Sequence, residues 1–156
     1  MPSMDGVGSR PRVGIVVAAH APLAKALVDA AREVLGERWD TLSSGVLAVE
    51  IDARRGAAAA FEQVADAITE VDLGAGVLVL ADLFGGSAAN IALAQLGAGR
   101  VEVVTGTNLA MLLEALTQRD EWGAPTVLGQ RAAEAARNSV VVAGPLLSGG
   151  ETHAAA

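Results

Sequence analysis

Reactive side chains are scarce in this sequence. It holds no cysteine and two histidines, His20 and His153. Thiolate nucleophiles, disulfides and cysteine–zinc sites are therefore excluded. The histidines lie far apart and form no ligand-type spacing, so no metal site is expected. His20 directly follows the apolar run Val13–Ala19. A neutral imidazole is a good nucleophile near neutral pH. A histidine can also sit in a core against a carbonyl, but a place just beyond a buried strand favours chemistry. Asp82 closes a second run, Gly76–Ala81, in the same way. A carboxylate there does not serve packing. It can cap a following helix, or accept a hydrogen bond from one imidazole nitrogen and leave the other free to attack. The two roles are compatible. Gly85, Gly86 and Ser87 come next. Backbone amides of such a turn, ahead of a helix, can cradle an anion, although the GxxxxGK[ST] pattern is absent. Thr107 and Asn108 can reach the same crevice, and a turn plus an N-cap explains them equally well. His153 stands in the tail and receives no role.

The elements that must position these groups follow from apolar periodicity. Strands are expected at Arg12–Ala19, Gly45–Ile51, Gly76–Asp82, Val101–Thr105 and Ser139–Ala143. Their continuous apolar character suits parallel strands buried on both faces. Helices are expected from Pro22 to Gly36, then at Ala57–Val71, Ala88–Leu96, Leu109–Arg119 and Pro125–Asn138, with Gly36 as a stop and Asn108 as a cap. The alternation means an α/β fold with an open, mostly parallel sheet and helices on both faces. The last strand, reached directly from a helix, can lie antiparallel at an edge. In such sheets, sites form beyond the carboxyl ends of strands where the strand order reverses. The loops after the first, third and fourth strands carry the residues above.

A length of 156 residues points to one domain. Residues 1–11 read as a disordered tail, 12–146 as the domain and 147–156 as a loose end. Apolar residues reach 52%, many of them alanine, while aromatics are 3%, so the core must be aliphatic. A net charge of −7 without a basic cluster argues against nucleic-acid binding. Arg10 and Arg12 before an apolar run imitate a secretory signal, but His20 and Lys25 interrupt it. No run approaches the roughly 18 apolar residues of a membrane span, so the expected location is the cytoplasm, without membrane insertion.

Three segments in order resemble the IIA component of the mannose-type (mannose/fructose/sorbose) phosphoenolpyruvate-dependent sugar phosphotransferase system. Val16–His20 is similar to that family's strand and phosphoryl-accepting histidine. Asp82–Ser87 with Asn90 is similar to its Asp-x-(Phe/Trp)-Gly-Gly-Ser-Pro-x-Asn loop. Gly106–Glu114 is similar to its Gly-Val-Asn-x-Pro-Met-Leu-x-Glu segment. The resemblance spans roughly residues 12–145. It implies a sheet of order 2-1-3-4 and a homodimer that exchanges the last strand. It implies that the phosphocarrier HPr phosphorylates Nε2 of His20, which then serves a separate IIB component, with no cofactor. Asp82 would orient His20, and Gly85, Gly86 and Ser87 would hold the phosphoryl group. Ala21, Phe84, Asn90, Thr107 and Asn108 would line the site. Ala21, Ala88 and Ala110 depart from the family's usual glycine and prolines, without removing a reactive group.

Three other functions use the same residues differently. A regulatory protein could use phosphorylation of His20 to switch partner binding. A phosphoryl donor to a dihydroxyacetone kinase would share the chemistry, but the second and third segments match the mannose type more closely. A Ser87 hydrolase lacks the G-x-S-x-G elbow.

Overall fold

The computed structural model describes residues 10–83, 87–94 and 99–148. Strands β1 (Arg12–His20), β2 (Val46–Ile51), β3 (Gly74–Ala81) and β4 (Val101–Thr105) form one parallel sheet of order β2-β1-β3-β4. The helices are α1 (Leu23–Leu35), α2 (Trp39–Leu42), α3 (Ala57–Val71), α4 (Ser87–Leu93), α5 (Leu109–Gln118), α6 (Pro125–Asn138) and α7 (Ala143–Ser148). The expected order 2-1-3-4 is therefore observed.

The central strands are apolar throughout because both faces are covered. Val13, Ile15, Val17 and Ala19 pack with Leu78 and Leu80 under α1, α5 and α6. Val16, Ala18, Val77 and Val79 pack under α3 and α4. Fully buried Ile15, Val16 and Val17 each contribute about 1.5–3 kcal/mol by removal from water. Two glycines permit close approach. A side chain at Gly14 would meet the Val71 carbonyl oxygen at 2.2 Å, and Gly76, at φ +87°, has the Arg100 carbonyl oxygen 2.4 Å from where its Cβ would stand.

Element bounds depart from expectation in few places. β3 begins two residues early, at Gly74, and α4 covers Ser87–Leu93, whereas the helix expected at Ala88–Leu96 runs on into residues outside those described. The 3₁₀ turn Gly36–Arg38 and α2 follow α1 without a signal that periodicity could detect. The segment Ser139–Ala143, expected as a last strand, forms no strand within this chain. The end of α6 holds its start instead: the Ser139 amide donates to the Ala135 carbonyl at 3.0 Å and the Val140 amide to Arg137 at 3.3 Å. Val140, Val141 and Val142 are left exposed, and α7 begins at Ala143. Among the described residues no helix is long and apolar enough to cross a membrane.

Candidate functional site

The sheet order reverses between β1 and β3, the place where a parallel sheet leaves a crevice at its carboxyl edge. Ala18 pairs with Ala81 there, so His20 and Asp82 emerge beside one another. Asp82 Oδ2 accepts from Nδ1 of His20 at 2.7 Å and from the His20 backbone amide at 3.1 Å. Its Oδ1 accepts from the Leu83 amide at 2.9 Å. One carboxylate thus fixes both the backbone and the ring of His20.

This geometry sets the tautomer. An ionised carboxylate only accepts, so Nδ1 must carry a proton, and in the neutral ring that leaves the lone pair on Nε2. Burial pushes the Asp82 carboxyl up. The bonds from the His20 ring, the His20 amide and the Leu83 amide, with the charge of the ring, outweigh it and hold the carboxyl below its ordinary value. Asp82 therefore stays ionised at neutral pH. The Asp82 side chain is 9% exposed and the His20 side chain 43%, so the carboxylate is buried while the imidazole ring faces solvent.

The other expected residues fall into different places. Ala21 lies next to the ring and donates its amide to the Ile51 carbonyl at 3.3 Å, and the bond between Ala21 and Pro22 is cis. The loop after β4 closes on β3 through Gly106 N to Asp82 O at 3.0 Å and Thr107 N to Ala81 O at 2.9 Å. Thr107 therefore adjoins the site, but its hydroxyl is buried without a partner among the described residues. Asn108 is the cap of α5, accepting from the Met111 amide at 2.9 Å. Its amide nitrogen faces Ala136 O and Ser139 Oγ, both at 3.4 Å, so it belongs to the packing of α5 on α6. Asn90 lines a cleft of about 330 Å³ with Ile51, Asp52 and Gly56. Ser87 opens α4, whereas Phe84, Gly85 and Gly86 lie outside the described residues. Among the described residues the Asp82 oxygens accept from His20 and Leu83, and the turn into α4, where a cap would act, lies outside them. Among the described residues no group of three metal-ligating side chains occurs.

Two features escape sequence reasoning. Arg119 is wholly buried and donates to the carbonyls of Val13 at 3.2 Å, Ser44 at 2.6 Å and Leu42. Burial pushes its pKa down to about 10, which still leaves it charged at neutral pH. At the end of β2, Asp52 accepts from the amide and the guanidinium of Arg54. Asp52 occupies the same strand-end position as Asp82, which is the one signal that could have drawn notice to this loop.

Comparison with known proteins gives the family of the fold. A family model described as PTS system fructose IIA component matches residues 14–129. The mannose/sorbose-specific IIA subunit of the phosphotransferase system from Enterococcus faecalis is 26% identical with a TM-score of 0.72, over 84% of this chain and 94% of that one. The PTS IIA protein associated with the fucose utilization operon of Streptococcus pneumoniae is 27% identical with a TM-score of 0.66, over 86% and 95%. A sigma-54 interaction domain protein from Enterococcus faecalis shares the fold at 23% identity, with a TM-score of 0.63 over 83% and 94%.

Proposed function

The chain belongs to the mannose-type IIA family of the sugar phosphotransferase system, and on that premise we propose that it is a phosphocarrier that works through His20. HPr is the donor and a separate IIB component the acceptor. The observation that carries this is the 2.7 Å bond from Nδ1 of His20 to Asp82, with the ring otherwise open to solvent.

The Nε2 lone pair attacks the phosphorus atom of phosphorylated HPr. A new N–P bond forms as the donor's N–P bond breaks, and that electron pair returns to the donor imidazole. His20 keeps its Nδ1 proton throughout. Its ring becomes cationic, and the ionised Asp82 stabilises that charge. Transfer to IIB repeats the exchange in the other direction. The resemblance assigns Gly85, Gly86 and Ser87 to the phosphoryl oxygens. It also assigns Ser139–Ala143 to an exchanged strand in a homodimer, a role that suits the exposure of Val140, Val141 and Val142. The cytoplasm, where phosphoenolpyruvate is available, is the proposed location.

The test is incubation with enzyme I, HPr and phosphoenolpyruvate, followed by intact mass at alkaline pH. We expect one added phosphoryl group, absent from His20→Ala. A stoichiometric gain in folded His20→Ala would refute the assignment.

A regulatory role is the second reading, since a sigma-54 interaction domain protein shares the fold. There, phosphorylation of His20 would switch a partner. A pull-down with phosphorylated and unphosphorylated protein that recovers the same partners in both states would remove it.

A further inference from the structure

Among the described residues β2 pairs only with β1, which leaves its outer edge uncovered by them, and its residues Leu47–Glu50 line a groove of about 800 Å³ that also takes in Ala21, Lys25 of α1 and Asp66 and Glu70 of α3. The groove thus begins beside His20 and runs along a strand edge between two helices.

The ladder shows which backbone groups face it. Ile15 donates to Gly45 O and Ala21 to Ile51 O. In a parallel pair these bonds alternate along the strand. Gly45, Leu47, Val49 and Ile51 therefore turn their N–H and C=O groups toward β1, and Ala48 and Glu50 turn theirs into the groove.

The charges are unbalanced. Lys25 is held by Asp29 at 2.5 Å, and Asp52 by Arg54 at 3.0 Å. What remains is Glu50, Asp66 and Glu70 against Arg55. Glu50 is the informative one. By strand alternation it shares the sheet face of Val46 and Ala48, which pack toward α1, and its Oε1 is buried with no partner among the described residues. An unpaired buried carboxylate oxygen is costly and favours a cation that would reach it.

We propose that this edge is a strand-addition site for an extended segment of a partner protein bearing alternate Lys or Arg. The segment's backbone bonds to Ala48 and Glu50, and one cationic side chain reaches the Glu50 carboxylate. The inference needs only the edge and its charges, and it stands whether or not His20 carries phosphate. An inward-pointing charge can instead guard an edge against pairing. A guard repels every strand, whereas a dock discriminates by charge.

The test titrates the full chain with a synthetic peptide of alternating Val and Lys while amide NMR signals and exchange rates are followed. In the free protein the Ala48 and Glu50 amides should exchange faster than those of Leu47 and Val49. The Val/Lys peptide should protect Ala48 and Glu50 saturably, and a Val/Glu peptide should not. Glu50→Gln should weaken binding about tenfold, the loss of one charge-assisted bond. No protection, equal binding of the Val/Glu peptide, or unchanged affinity in folded Glu50→Gln overturns the proposal. So does concentration-dependent protection without peptide, which would assign the edge to a second copy of the chain.

Discussion

Asp82→Asn separates charge from shape at the centre of the proposed site. The side chain keeps its size, but one oxygen becomes an NH₂ group. If the amide oxygen takes the Oδ2 place, both His20 bonds, at 2.7 and 3.1 Å, survive. The NH₂ group then faces the Leu83 amide across 2.9 Å, two donors in opposition. If the amide turns over, Leu83 is satisfied and His20 loses its acceptor, so the ring is free to move its proton to Nε2, the nitrogen that must attack. The first arrangement forfeits only the charge. A bond to a charged group is worth about 1.5–3 kcal/mol, most of it needed when the ring turns cationic, so acceptance slows about 10- to 100-fold. The second adds the wrong tautomer, which can extend the loss to about 10⁴-fold. The assay is single-turnover transfer from phosphorylated HPr, quenched in alkali and read as phosphorylated fraction against time. We expect a rate at least about tenfold below wild type, with full phosphorylation at long times. A folded Asp82→Asn that accepts phosphate at the wild-type rate would refute the role of the carboxylate.

Further outcomes follow from the same contacts. The depressed Asp82 pKa means the unfolded chain binds more protons near its ordinary value of about 3.9. Asp82 therefore adds stability that is fully present above that value and lost as pH falls through the lower folded value; acid titration by circular dichroism should show a flatter acid limb in Asp82→Asn, and superimposable limbs would contradict this. Thr107→Val removes the buried hydroxyl that has no partner and should stabilise the fold by about 1 kcal/mol; a lower melting temperature would mean the hydroxyl is used. Arg119→Ala strips the donor from three buried carbonyls and should cost about 3 kcal/mol or more in urea unfolding, whereas a loss below about 1 kcal/mol would show that those carbonyls find other donors. Val141→Asp, in the exposed run, should yield a monomer by sedimentation if that run is exchanged between copies; an unchanged mass would place the interface elsewhere.

The sheet was legible in the sequence because its strands obey one physical rule. Continuous apolar runs without polar alternation must be covered on both faces, and the runs ending at Ala19 and Ala81 led directly to His20 and Asp82. The pairing of those two side chains rested on the resemblance, which implied the order 2-1-3-4 and so set the ends of β1 and β3 side by side. Three things were not legible. Ser139–Ala143 was read as a strand, and local pattern cannot show that within one chain its first amides still bond backward to Ala135 and Arg137, which leaves its pairing with a second copy to the Val141→Asp test. Arg119, at the end of an amphipathic helix, looks like any solvated cation until three chain segments close over it. Asn108 matched both a site residue and a cap, and only its bonds to Met111 and its approach to the end of α6 decide for the cap.

The proposed transfer in both directions demands a site that binds phosphate neither too tightly nor too loosely, and the bonding of Asp82 suits that demand. The carboxylate lies behind the ring, on Nδ1, and of its three bonds among the described residues two come from backbone amides, donors whose charge a transfer at Nε2 would not alter. Its charge therefore acts on the imidazole rather than on the phosphoryl group. A carboxylate on the Nε2 side would repel the incoming dianion. A lysine or arginine there would hold it, and slow its departure. The half-exposed ring, set 2.7 Å from a buried carboxylate, leaves each partner room to approach, while the resemblance assigns Gly85, Gly86 and Ser87 to the phosphoryl oxygens. On the proposed function, direction would then be set by the partners' affinities for phosphate, and the preorganised His20–Asp82 pair would lower the barrier alike for acceptance and release.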